Sequence, residues 1–102
     1  MTQEVKILIL VKTQPGRASD QISAFEELAP LVRAEEGCIE YDLHPVDGDE
    51  DRFVFIERWA SKEAFAAHNK TPHILAAIAN SPAFRAERAT VLSLGPGIAV
   101  QG

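Results

Sequence analysis

Residues 5–12 read Val-Lys-Ile-Leu-Ile-Leu-Val-Lys, and residues 52–59 read Arg-Phe-Val-Phe-Ile-Glu-Arg-Trp. Both stretches are short and rich in β-branched and aromatic residues, so both predict strands. Successive side chains of a strand point to opposite faces. Val5, Ile7, Ile9 and Val11 therefore share one face, with Leu8 and Leu10 on the other. Phe53, Phe55, Glu57 and Trp59 share one face, with Val54 and Ile56 behind them. A sheet built on two such strands is apolar on both sides, and each side needs a cover.

Between and after these strands the chain supplies helices for one cover only. Ser19 or Asp20 offers a helix cap. Ile22, Phe25, Ala29 and Val32 then recur at helical spacing, widened by Leu28 and Leu31. Pro30 inside this stripe predicts a kink or a restart, and Glu35-Glu36-Gly37 ends the helix. Cys38–His44 predicts a second strand, and the acidic stretch 45–51 a solvated loop before the third. Ser61 caps a helix through Asn69, and Thr71-Pro72 caps another that runs to about Ala79. Ser81-Pro82 repeats that device. Thr90–Leu94 predicts a final short strand, and Gly95-Pro96-Gly97 opens a tail carrying Ile98 and Val100.

The order strand, helix, strand, strand, helical segments, strand is the split βαβ arrangement of a ferredoxin-like α+β fold. Right-handed crossovers put the helices on one face of a four-stranded antiparallel sheet. A chain of 102 residues is one domain, 1–102, with its core over about 4–94 and a tail at 95–102. The second apolar face predicts a homodimer packed sheet to sheet, the tail after Pro96 reaching across. Alternatively, the strand edges and tail cover that face within one subunit.

Fifteen acidic residues against ten basic ones give a net charge of -5. That balance opposes nucleic-acid binding, which draws on a basic surface, and docking on an anionic membrane. Cys38 is the single cysteine, so an internal disulfide is excluded and a reducing compartment is expected. The apolar run 7–11 is too short for a secretion signal or a bilayer span. A soluble, cytoplasmic protein is the expectation.

Glu57 on an otherwise aromatic strand face is the most suggestive residue, because a buried carboxylate is costly unless paired. A histidine beside it can act as a general base, and Trp59, Phe53 and Phe55 offer a flat wall to a planar ligand. Equally, Glu57 can face solvent or pair with Arg58, Arg85 or Arg88. His68 and His73 fall in the two short helices and His44 at the end of the second strand; each also has a plain structural reading. Tyr41 can donate a proton to a bound oxygen or simply fill the core. The sequence has no His-Glu-x-x-His motif, no glycine-rich phosphate loop and no Gly-x-Ser-x-Gly elbow.

Four stretches together resemble the antibiotic biosynthesis monooxygenase domain, especially its small quinol monooxygenase members. They are residues 36–43, Glu-Gly-Cys-Ile-Glu-Tyr-Asp-Leu; residues 52–59, quoted above; residues 61–68, Ser-Lys-Glu-Ala-Phe-Ala-Ala-His; and residues 71–74, Thr-Pro-His-Ile. Their order and spacing fit over roughly residues 4–94. The resemblance implies a dimeric α+β barrel with a pocket between sheet and helices. It implies oxidation of a quinol or polyphenol by molecular oxygen, without flavin, haem or metal. It places Trp59, Glu57, His68 and His73 at pocket positions, with Tyr41 and His44 at the edges. His68 or His73 is then the base, Glu57 the orienting acid and Trp59 a ring wall. The first strand lacks the Asn, and the segment Ile78-Ala79-Asn80 lacks the axial His, of haem-degrading relatives. Relatives that isomerise phosphorylated sugars leave Arg85 and Arg88 as anion-binding candidates. A noncatalytic small-molecule-binding or dimerisation module is the third reading, since fold alone does not select a function.

Overall fold

A computed structural model describes residues 3–99. The elements are β1 (Val5–Lys12), α1 (Ala18–Arg33), β2 (Cys38–Val46), β3 (Asp49–Trp59), α2 (Lys62–His68), α3 (Pro72–Asn80), a 3-10 turn (Ser81–Ala83) and β4 (Thr90–Leu94). The strands form one antiparallel sheet in the order β2-β3-β1-β4. The helices lie on one face, which is the ferredoxin-like arrangement that the order of elements predicts. No described helix is long and apolar enough to cross a membrane.

The two faces follow from register. Ile7 stands opposite Glu57, Ile9 opposite Phe55 and Val11 opposite Phe53, while Tyr41 also faces Glu57 from β2. These side chains, with Val5 and Trp59, meet Ala29 and Val32 of α1 in the buried core. Phe25 of α1 brings its ring within 5.6 Å of Tyr41 and 6.0 Å of Phe55. The reverse face carries Leu8, Leu10, Val54, Ile56 and Leu92 in register. It is open, with Leu10 at 41%, Leu92 at 40% and Leu94 at 41% exposure.

Local chemistry departs from expectation in four places. Helix α1 begins after Arg17 with no side-chain cap; Ser19 and Asp20 lie inside its first turn, where Asp20 pairs with Arg17. Pro30 causes no restart, because it falls in the last turn and removes only one internal hydrogen bond. The stretch 45–51 is no loop: β2 runs to Val46, β3 starts at Asp49, and Gly48 at φ +83° closes a tight hairpin. Ser81 does not cap; its hydroxyl donates to the Ile78 carbonyl instead. The other two caps form as expected, Ser61 accepting from Ala64 N–H at 3.1 Å and Thr71 from Ile74 N–H at 3.3 Å. In the tail Ile98 is 95% exposed, and Val100 lies outside the described residues.

Gly37 fixes how α1 and β2 meet α2. Its φ of +85° is a left-handed conformation, and a Cβ there would stand 2.6 Å from the Ala64 Cβ. Only glycine lets this turn lie against α2. The Gly37 carbonyl accepts from Ala60 N–H at 2.8 Å, which locks the turn to the end of β3.

Candidate active site

Between the helical face of the sheet and the segments that follow Trp59 lies a cavity of about 800 Å³, within the range of small-molecule sites. Ile9, Leu28, Phe55, Phe65, Ile74 and Val91 give it apolar walls. Tyr41, Glu57, His68, Asn69, Arg85 and Arg88 bring polar groups to it.

Three elements build the polar cluster. Glu57 comes from the centre of β3 and is 1% exposed, its Oε1 accepting from Trp59 Nε1–H at 2.9 Å. Burial pushes the Glu57 carboxyl above the usual range, against the opposing pull of the Trp59 hydrogen bond and of His68. His68 ends α2 and is 2% exposed. Its ring lies 4.5 Å from the Trp59 ring, centroid to centroid. Its Nε2 is 3.9 Å from Glu57 Oε1, too long for a hydrogen bond, so neither atom is spent on the other. On its far side His68 Nδ1 is 3.0 Å from both oxygens of Glu35, in the turn that Gly37 holds. Glu35 Oε2 is in turn 2.7 Å from His73 Nε2. One carboxylate thus joins two imidazoles, one deep and one near the surface.

Tyr41 faces the same space from β2. Burial, with Glu57 nearby, pushes its phenol well above the usual range, so it keeps its proton and stays a donor. Arg85 closes the opposite side. Gln14 Nε2 donates to the carbonyls of Pro82, Ala83 and Arg85 and pins that segment to the end of β1. Arg85 Nε then donates to Oε1 of the buried Gln21 at 3.0 Å. Burial draws the Arg85 pKa below its ordinary value, with Tyr41 opposing, yet a guanidinium stays charged at any working pH.

The structure therefore brings Glu57, His68, Tyr41 and Phe55 together and separates the other four candidates from the cavity. Trp59, 0% exposed, is not a ring wall; it lies under Glu57 and His68, with Phe65 of α2 over it. Phe53 is four residues from Glu57 along β3, ~13 Å away, and fills the core opposite Val11. His73 reaches Glu35, not the cavity. His44 pairs with Val54 and so lies on the opposite face of the sheet from Tyr41; strand parity alone puts residues three apart on opposite faces. Glu35 and the anchoring of Arg85 by Gln21 are what sequence reading misses. Two adjacent glutamates precede Gly37, and no local signal distinguishes the half-buried Glu35 from the exposed Glu36. Cys38 is partly buried, and burial with Glu35 beside it raises the thiol pKa, so it stays a thiol.

A ferredoxin-like domain whose helices enclose a mostly apolar cavity, with an imidazole and a carboxyl group on its wall, belongs to the small-molecule-binding class. The chain is a member of the antibiotic biosynthesis monooxygenase family, whose model matches residues 5–80. It is 36% identical to YcnE of Bacillus subtilis (strain 168) over 63 residues, which are 62% of this chain and 66% of that protein. The match thus spans just under two thirds of YcnE. It is 33% identical to Rv0793 of Mycobacterium tuberculosis over 76 residues, 74% of this chain and 73% of that protein. The solved structure of Rv0793 superposes with a TM-score of 0.85 at 25% identity, covering 97% of this chain and 100% of that one. PA3566 from Pseudomonas aeruginosa superposes with a TM-score of 0.86 at 26% identity, covering 96% of this chain and 98% of that one. Membership supports an oxygenase-like or small-molecule-binding role in general terms.

Proposed function

We propose that this protein is a cofactor-independent monooxygenase that oxidises a quinol or polyphenol with molecular oxygen. The observation that carries the reading is His68, buried at the cavity wall with Nε2 free of any hydrogen-bond partner among the described residues, 3.9 Å from a buried carboxyl. YcnE and Rv0793 are themselves named as candidate monooxygenases, which fits.

The chemistry needs three things from the protein. His68 Nε2 takes the phenolic proton, and the resulting ring anion is electron-rich enough to reduce oxygen by one electron. Glu57, whose pKa burial raises, and Tyr41 offer hydrogen bonds to ring oxygens, while Arg85 balances the anionic charge across a low-dielectric space. The apolar walls hold the ring flat. Recombination at a ring C–H then yields a carbonyl: one oxygen atom enters the product and the other leaves as water, so a phenol plus oxygen gives a quinone plus water. A homodimer closing the open face of each sheet into a barrel completes the proposal, acting as a soluble cytoplasmic protein on a small aromatic substrate.

Oxygen uptake by metal-stripped protein over a panel of hydroquinones and polyphenols, corrected for autoxidation, tests this reading. Saturable uptake is expected, falling about 100-fold or more in His68→Ala. Uptake at background for every compound moves the reading to a binding module, or to the sugar-phosphate isomerase that Arg85 and Arg88 would suit.

A further inference from the structure

We infer that Glu35 is the positioning residue of this site: it fixes the tautomer and direction of His68, and His73 anchors it from the surface side. The inference deepens the oxygenase reading and rests on it for its kinetic arm only.

The geometry selects this carboxylate over the other. Glu35 places both oxygens 3.0 Å from His68 Nδ1, whereas the Glu57 oxygen is 3.9 Å from Nε2. An ionised carboxylate only accepts hydrogen bonds, so Nδ1 carries the proton and donates it to Glu35. Neutral His68 then presents a bare Nε2 lone pair toward Glu57 and the cavity, which is the atom a general base must offer. The opposite tautomer would leave Glu35 facing a lone pair and would aim an N–H at the substrate. Trp59 tilted against the ring at 4.5 Å, with Tyr41 edge-on at 6.1 Å and Phe65 stacked at 6.3 Å, restricts ring flips.

His73 completes the device. Its Nε2 donates to Glu35 Oε2 at 2.7 Å, so the carboxylate is held from two sides. The Glu35 side chain is 12% exposed and that of His73 23%, against 3% for His68. Exposure therefore rises along the chain of contacts from the cavity to the surface. Glu35 sits in the turn before Gly37, and α2 and α3 each bring one imidazole to its oxygen pair.

The test is direct observation of the ring nitrogens. Long-range proton–nitrogen correlation spectra of the full 15N-labelled chain, at a pH where the imidazoles are neutral, report which nitrogen of each histidine is protonated. In the wild type His68 is expected as the Nδ1–H form and His73 as the Nε2–H form. Glu35→Ala removes the acceptor and returns His68 to the Nε2–H form that free imidazole side chains favour. Glu35→Gln rescues the Nδ1–H form, because its amide oxygen accepts in the same place. An Nε2–H His68 in the wild type, or an unchanged tautomer in a folded Glu35→Ala, overturns the inference. If Glu35→Ala does not fold, the wild-type and Glu35→Gln spectra still decide. On any quinol the wild type turns over, Glu35→Ala is expected to lower kcat by about 100-fold with little change in KM. A panel with no turnover defeats the oxygenase reading and leaves the tautomer result standing.

Discussion

Glu57 shows how one buried residue sets a property of the whole chain. Its carboxyl loses hydration on folding, and the Trp59 N–H returns only part of that. A carboxyl with a raised folded-state pKa holds its proton more tightly when folded than when unfolded. Its contribution to stability is then full below the unfolded pKa and is lost as pH rises through the folded one. Glu57→Gln keeps the acceptor for Trp59 and removes the titration. The Tm of the variant minus that of the wild type should therefore be near zero in acid and become increasingly positive as pH rises through the folded-state pKa. Thermal melts of both proteins across pH check this, and a difference independent of pH would show that Glu57 titrates normally in the fold. Glu57 was legible from the sequence because an acid amid Phe53, Phe55 and Trp59 breaks an apolar face. Glu35 was not, because a glutamate before a helix-ending glycine is ordinary.

At the scale of elements, the site depends on a turn. Gly37 combines a left-handed φ of +85° with a virtual Cβ 2.6 Å from Ala64, and the same turn carries Glu35 to His68. Gly37→Ala adds backbone strain to a steric clash with α2, a cost of about 2–4 kcal/mol. A fall in Tm on the order of 10 °C or more is expected for a domain of this size. A change of less than about 2 °C in a thermal melt would mean the turn relaxes freely. Other element ends were readable because their chemistry is local. Ser61 and Thr71 cap where a hydroxyl precedes an amphipathic run, and the cap bond spans only three residues. The cap expected at Ser19 or Asp20 fails for a reason that is not local. The segment 84–86 pairs with 12–14 at the end of β1, Arg85 reaches Gln21 in α1, and the helix starts two or three residues earlier than the expected caps would set, directly after Arg17.

For the molecule as a whole, the open sheet face is the dominant unbalanced feature. Leu8, Leu10, Val54, Ile56 and Leu92 form one contiguous apolar surface across three strands, and the helices are all on the other side. Covering it with a second copy is the proposal that strand parity already supports. Leu10→Asp or Ile56→Asp should yield a folded monomer or an unfolded chain, because a dimer would bury an unpaired charge. Light scattering coupled to size exclusion reads the mass. A fully folded Leu10→Asp that keeps a dimeric mass would place the interface elsewhere.

Alternation in β1 and β3 determined the two-faced sheet, and the order of elements determined the ferredoxin-like topology, because both follow from period-two geometry and short right-handed connections. The same alternation determined that Glu57 and Trp59 share a face. Tertiary structure alone decided which of them lines the cavity: Trp59 is covered by Phe65, while Glu57 lies at the cavity wall. It alone decided that His68 enters the cavity and His73 stays behind it, and that Glu35 joins them. Residues 35, 68 and 73 belong to three elements, and no sequence period relates positions whose contact is made by packing a turn against two helices.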